Sequence, residues 1–408
     1  MTNPSPPSPY RWAMLFGVWF VYTCFGMAVY STAPLVEPIA RDLDLSLGAM
    51  GAIMGAWPLV YIAMAIPAGA LLDRIGVRPG LLIAAVIITL SVMLRSAAGG
   101  FLMLFLAVAL FGVGGPLVSV GAPKLIASWF EGKERGLAIG IYSTGPTIGA
   151  VSVLSLTNAV IMPLTGYDWR STLLIYAAMA ALAGAIWFVI SNRPAARLHD
   201  PVAIGDGSLR AQFRIFAALL RLSTVRIVLL LAVGIFIFNH ALNNWLPEIL
   251  RTGGMNSAEA GFWASIPSLV GTVAALTLPR YATGSRRIPT LLATVLLAAA
   301  ATVLIAYSQG GLLGFGLILQ GIARGSMIPI AMFVLMETRE IDAKVMGAAG
   351  GLFYTAAEIG GVIGPTMTGL MADATGGFLA PLMMLTAVCL VCAGLVLALN
   401  KPIKRRLE

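Results

Sequence analysis

Charge is what this chain has least of. Only 11% of its 408 residues are Asp, Glu, Lys or Arg, against about 25% in a water-soluble domain. Hydrophobic residues make up 59% and the mean hydropathy is +0.92, so water is not the main solvent. Histidine is nearly absent: His199 and His240 are the 2 present, and no nucleophile–base set or metal-ligand cluster assembles around them. No G-x-x-x-x-G-K-[ST] loop occurs, which leaves ATP-driven pumping without a phosphate cradle. Neither an enzyme nor a bound metal or cofactor is expected. The 3 cysteines, Cys24, Cys389 and Cys392, make no disulfide framework. Cys389 and Cys392 are spaced C-x-x-C, but in an apolar helix without a nearby histidine, and they read as small residues on one helical face.

What the chain has instead is long apolar runs. They fall at about 12–34, 48–71, 79–98, 101–124, 136–161 and 170–191, and after a polar stretch at about 225–250, 258–279, 287–307, 311–336, 346–371 and 377–400. Each reaches the roughly 20 residues that a membrane-spanning helix needs. The ~10-residue alternating segments of a membrane β-barrel are not found. The first run, from Trp12, is too long for a signal-peptide core and lacks a small-residue cleavage site, so it reads as an uncleaved span.

The pattern predicts six spans in 1–191, a linker over 192–224 and six more spans in 225–408. With the first residue on the cytoplasmic side, all but five of the 26 Lys and Arg fall on that side; the exceptions are Arg41, Arg95, Arg170, Arg251 and Arg324. This satisfies the positive-inside rule. It also accounts for a net charge of +9 without invoking nucleic acid, and it puts both termini in the cytoplasm. In the linker, Phe213, Phe216, Leu219 and Leu220 share one face of Leu209–Leu222, with Arg210, Arg214 and Arg221 elsewhere. That is the pattern of a helix resting on the inner leaflet.

The halves echo each other. Gly69–Pro79, between spans 2 and 3, aligns at an offset of 208 with Thr277–Arg287, between spans 8 and 9. Phe111–Pro116 in span 4 aligns at an offset of 209 with Gln320–Gly325 in span 10. Parallel repeats of this kind place a transport pathway at their interface.

Gly69-x-x-x-Asp73-Arg74-x-Gly76-x-Arg78 resembles the signature loop of the major facilitator superfamily, departing only at Pro79. The second copy is degenerate, with Tyr281 in place of the acid and Gly284, Arg286 and Arg287 retained. Lys124–Gly140 is similar to the loop before span 5 of solute-uptake members, and Asn243–Leu250 is similar to the organic-anion and cyanate/nitroimidazole-type branches. Span 11 carries GxxxGP at Gly360–Pro365; span 5 has a shorter Gly145-Pro146-x-x-Gly149, with Ile141 where the antiporter motif has glycine. A kink with close packing is sufficient for both. The resemblance implies an all-α fold of twelve transmembrane helices in two pseudo-symmetric six-helix bundles. It also implies a monomer in the bacterial inner membrane. In the loop, Gly69 is expected to let two helices approach closely. Asp73 is expected to pair with Arg74, Arg78 or a neighbouring helix's amide end as a cytoplasmic gate.

Charges at mid-depth are the best guide to a site. Span 10 has Arg324, span 11 has Glu358 and span 7 has His240, while the first half has none. A charge there costs about 2.5–3.5 kcal/mol on insertion scales, so it needs a partner or a wet cavity. Arg324 and Glu358 lie at matching depths, which leaves two readings open. Arg324 binds an anionic group, its guanidinium offering a planar fork to a carboxylate, while Glu358 carries a coupling proton; or the two form a permanent structural pair. Tyr354, one turn before Glu358, is a further candidate. In span 7, Asn239 and Asn243 share a face, as do His240 and Asn244; amides there line a cavity or satisfy backbone groups before Pro247. The first half offers Tyr22, Tyr30, Ser119, Tyr142 and Thr147. The resemblance raises Tyr22 and Ser119, because spans 1, 4, 7 and 10 of this superfamily line the cavity. Arg95, near the outer end of span 3, is expected to snorkel to the headgroups.

These features favour proton-coupled transport of a small, monocarboxylate-like organic anion. A proton-coupled drug or metabolite exporter would prefer an acid in the first half. A choline-like cation requires Arg324 locked to Glu358 and an aromatic site.

Overall fold

The computed structural model describes residues 9–197, 215–336 and 346–404, all helix and connecting turn, with no strand among them. Among the described residues, eleven helices are long and apolar enough to cross a membrane. They are α1 (Arg11–Asp42), α2 (Leu47–Ile75), α3 (Val77–Ser96), α4 (Phe101–Trp129), α5 (Gly132–Leu164), α6 (Trp169–Ser191), α7 (Ser223–Thr252), α8 (Ser257–Tyr281), α9 (Gly284–Tyr307), α10 (Gly310–Met336) and α12 (Leu379–Lys404). The twelfth, α11 (Met346–Thr375), is 30 residues long; glycines, threonines and Glu358 dilute its apolarity. Exposed Leu106, Phe188, Leu230, Val273 and Val391 turn outward, as side chains facing lipid tails do.

Two of the spans are not simple rods. In α1, the helix Arg11–Tyr30 stops and a 3-10 turn at Ala33–Leu35 containing Pro34 leads into Val36–Asp42. In α5, the chain breaks between Gly132–Ser143 and Gly145–Leu156, then makes a π turn at Thr157–Ile161. The Thr157 hydroxyl there bonds back to the Val153 carbonyl and meets the Tyr176 hydroxyl at 2.6 Å, the kind of insertion that bends a helix.

The helices pack as two copies of one arrangement. In the first half α1 packs on α5 and α6, α2 on α4, and α3 on α4 and α6; in the second, α7 packs on α11 and α12, α8 on α10, and α9 on α10 and α12. The Gly-Pro stretches serve the matching contacts. A Cβ on Gly149 would lie 2.1 Å from the Thr23 carbonyl oxygen of α1, and one on Gly360 2.1 Å from the Val233 carbonyl oxygen of α7. Close packing is thus what these motifs do here. The C-x-x-C has the same character: Cys389 and Cys392 are buried, and the Cys392 sulfur sits where a Cβ on Gly234 would be, 2.2 Å away.

Between the halves, α2 meets α11 and α5 meets α8. The start of α2 lies on the end of α11: the Asp373 carboxylate accepts hydrogen bonds from the Leu47 and Gly48 amides at 2.9 and 2.7 Å. Asn158 donates to the carbonyls of Pro34 and Ser257 at 3.0 and 3.4 Å. The opposite end, which carries the Gly69–Pro79 loop, is splayed. A Cβ on Gly69, Gly132, Gly136 or Gly140 would meet nothing within 4 Å. This corrects the expected close approach at Gly69, because no second helix is against it when that end is open.

The signature loop is likewise engaged differently from expectation. Asp73 pairs with Lys124 of α4 at 2.6 Å, not with Arg74 or Arg78. Arg78 donates to the Ser191 carbonyl at 2.7 Å, and Arg74 is exposed. The bonds shown for Asp73 and Arg78 stay within the first half. Of the expected linker helix, Leu209–Arg214 lies outside the described residues; 215–219 are helical.

Candidate functional site

A cavity of about 320 Å³ opens between the halves toward the splayed end. Thr144 and Thr147 of α5, Asn239, His240 and Asn243 of α7, Ser268 and Thr272 of α8 and Arg324 of α10 are among the residues lining it. Thr147 and Thr272 meet across the halves at 2.8 Å. On the closed side of Arg324 lies a smaller cavity, lined in part by Tyr30, Asn243, Ser268 and Gln320. Arg324 borders both spaces.

Arg324 does not pair with Glu358. Its guanidinium donates to the Ser268 hydroxyl at 2.8 Å and, from its other terminal nitrogen, to the Tyr30 hydroxyl of the opposite half. Among the described residues no carboxylate lies within ion-pair distance of it. The structural-pair reading of the two charges therefore fails, and Arg324 is instead a cation held by two neutral hydroxyls across the interface.

Glu358 is 6% exposed, and its nearest charged-type neighbour is His240, whose Nε2 lies 3.8 Å from Oε2, beyond hydrogen-bond range. That oxygen has no hydrogen-bond partner among the described residues. Gly361 makes the arrangement possible, since a Cβ there would lie 2.7 Å from Glu358 Oε2 and 3.2 Å from the His240 ring. His240 sits between two aromatic rings, Phe236 of its own helix and Trp57 of α2, each 5.4 Å away centre to centre.

Those rings belong to an aromatic series running from one half to the other. Tyr142 stacks on Tyr22 at 5.9 Å; Tyr22 packs on Phe25, Phe25 on Phe111 and Phe111 on Trp57. Beyond His240, Phe236 contacts Tyr354 at 6.4 Å. Tyr22, Tyr142 and Tyr354 are thus linked to His240, as ring neighbours rather than as donors to Glu358. Ser119 is turned to Tyr61, hydroxyl to hydroxyl at 2.6 Å. Asn244 donates to the His240 carbonyl at 2.8 Å and is buried, so of the four polar residues in that stretch it serves its own helix.

Sequence reasoning missed Trp57, Phe25, Phe111, Ser268 and Gln320 as site neighbours, because an aromatic or small polar residue in an apolar span carries no sign of which way it faces. It also misplaced Arg95. That side chain does not snorkel but is 1% exposed, donating to the Ala28 carbonyl at 2.7 Å and to Ser31 at 3.0 Å. The break in α1 leaves carbonyls unpaired just there, and the guanidinium serves them.

Two six-helix halves around a cavity closed at one end, with a cation and amides in its lining, define a membrane transporter with its pathway between the halves. The family model of the Major Facilitator Superfamily matches residues 18–338 and, in a second match, 228–407, and the chain belongs to that superfamily. It is an integral membrane transporter and not an enzyme. It is 27% identical over 396 residues to the uncharacterized transporter YycB of Bacillus subtilis (strain 168), covering 96% of this chain and 94% of that one. To the hexuronate transporter of the same organism it is 23% identical, covering 92% and 90%. A bacterial homolog of the human lysosomal transporter Spinster, solved in an inward-facing and unoccupied conformation, shares the fold. Its TM-score is 0.78 at 17% identity, over 97% of this chain and 98% of that chain.

Proposed function

We propose that the protein carries a small organic anion across the bacterial inner membrane, coupled to a proton, with Arg324 binding the anion and Glu358 carrying the proton. The observation that carries this reading is Arg324 itself: a cation at the closed end of the main cavity, held by Tyr30 and Ser268 and by no carboxylate among the described residues. An incoming carboxylate would supply the missing charge in a fork-to-fork pair and compete with Tyr30 for the guanidinium. Because Tyr30 belongs to α1 and Arg324 to α10, that competition acts on the contact between halves. Glu358 beside His240 is the acid able to take up a proton without a cation to hold it ionised. The similarity to a hexuronate transporter supports an organic-acid substrate.

With the termini in the cytoplasm, as the Lys and Arg distribution indicates, the splayed end faces inward. Asp73, Arg74 and Arg78 then stand ready at the cytoplasmic gate, and closure on that side would bring Gly69 against a partner helix. A choline-like substrate requires Arg324 locked on Glu358, a condition the geometry does not meet.

The test is uptake of labelled small carboxylates, amino acids and choline into proteoliposomes. Truncating one partner of a buried charge pair costs about 2–5 kcal/mol. Arg324→Ala should therefore slow carboxylate uptake by about 30-fold or more. Uptake of choline but no carboxylate would overturn the assignment.

A further inference from the structure

Around Arg324 the protein leaves several polar atoms without partners. Asn239 has neither its amide nitrogen nor its oxygen bonded to any described residue, and the side-chain oxygens of Asn243 and Gln320 are also unbonded. Asn239 is 4% exposed and Gln320 1%, so solvent contact does not explain them. A buried polar group left unsatisfied costs about 1–3 kcal/mol, and three amides at one place in an otherwise apolar protein form a built feature.

Their positions are ordered. Asn239 and Asn243 line the main cavity with Arg324, and Asn243 and Gln320 line the smaller cavity with it. Asn239 and Asn243 are one helical turn apart on α7, as are Gln320 and Arg324 on α10, about 6 Å in each case. The amides therefore flank the guanidinium on both sides along the pathway.

Their chemistry is selective. Three of the four orphaned atoms are oxygens that accept and cannot donate. A second carboxylate would bring only acceptors and leave them unpaired; an alkyl chain would bring nothing. A hydroxyl can donate to each amide oxygen and accept from the Asn239 nitrogen.

We propose that Asn239, Asn243 and Gln320 read hydroxyl groups on the carbon chain of the anion that Arg324 holds, which makes the substrate a hydroxylated carboxylate. This rests on the anion reading of Arg324. A site built to hydrogen-bond a substrate hydroxyl rejects the analogue lacking it far more strongly than a site that only encloses it.

The experiment compares acids of equal chain length and graded hydroxylation, gluconate against hexanoate and glycerate against propionate, with alanine as a zwitterion control. Each is followed in proteoliposomes containing the full chain. The wild type should favour the hydroxylated acid by at least about 100-fold in kcat/KM, and Asn239→Leu or Gln320→Leu should collapse that ratio toward one. Should a leucine variant fail to fold, Asn239→Gln, which keeps the amide but displaces it, should still cut the ratio at least about tenfold. Equal transport of hydroxylated and plain acids, both lost in Arg324→Ala, overturns the hydroxyl proposal and leaves the anion site standing. So does a ratio unmoved by the variants, and alanine as the preferred solute overturns it in favour of an ammonium donor. If no carboxylate moves at all, both readings fall.

Discussion

Removing the Asp373 carboxylate should open the end of the molecule that is closed here. The Asp373 side chain of α11 accepts from the Leu47 and Gly48 amides of α2 at 2.9 and 2.7 Å, across the interface. Ser46 caps α2 independently, accepting from Ala49 at 3.2 Å, so Asp373→Ala leaves the helix capped and subtracts only the contact between halves. A carboxylate cap is worth about 0.5–2 kcal/mol; because Asp373 accepts two such bonds, about 1–2 is expected even with its side chain exposed. That corresponds to a factor of about 5–30 in the equilibrium toward the state open at that end. A cysteine placed at Ala264, buried against the smaller cavity, reports it. When opening is fast relative to labelling, the rate of modification follows the open population. Alkylation of Ala264→Cys by an impermeant maleimide should rise about 5–30-fold in Asp373→Ala. A rate unchanged within twofold would refute the latch.

Other perturbations follow from the same geometry. Tyr30→Phe removes the neutral competitor for Arg324; a hydrogen bond to a charged group is worth about 1.5–3 kcal/mol, so anion affinity by equilibrium binding should tighten, by about tenfold if most of that is released. Gly325→Leu should abolish the folded protein in detergent size-exclusion and melting assays, because a Cβ there would lie 1.9 Å from the Gly271 carbonyl oxygen, which is backbone and cannot move aside. Asp168, in the turn before α6, accepts from the Ser171 hydroxyl and from the Arg170 and Ser171 amides. The Ser171 hydroxyl, ahead of those amides, holds its carboxyl below the ordinary value near 3.8. Its stabilisation of the helix start is therefore complete above that value and lost as pH falls through the lower folded-state value. Asp168→Ala should speed amide exchange at the start of α6 about fivefold at neutral pH, with the difference from wild type vanishing at strongly acidic pH.

The spans were readable because the bilayer allows only one solution for a 20-residue apolar run, and their edges moved by five residues or fewer except at the end of α1, which continues past the turn at Pro34 to Asp42. Arg324 and Glu358 were readable because a charge in such a run has no inexpensive structural explanation. Their partners were not. Tyr30 is 294 residues from Arg324, and depth along two antiparallel helices says nothing about rotation, so matching depth suggested an ion pair that rotation forbids. Arg95 failed for a related reason: its position near a helix end suggested the headgroups, whereas the break in α1 places carbonyls beside it. The contacts of Gly69 and Asp73 were not readable because a gate contact belongs to one state of the molecule, and a loop read from sequence does not say which state is present; here Asp73 pairs with Lys124 and Gly69 has no neighbour within 4 Å of its Cβ position.

The most direct test of the account is uptake of the transported carboxylate with and without an acid-outside pH gradient, wild type against Glu358→Gln. The account predicts that the gradient drives accumulation in the wild type, while Glu358→Gln still exchanges the anion but no longer responds to the gradient. Gradient-driven accumulation surviving in Glu358→Gln would contradict it, and the proton would have to travel by another group.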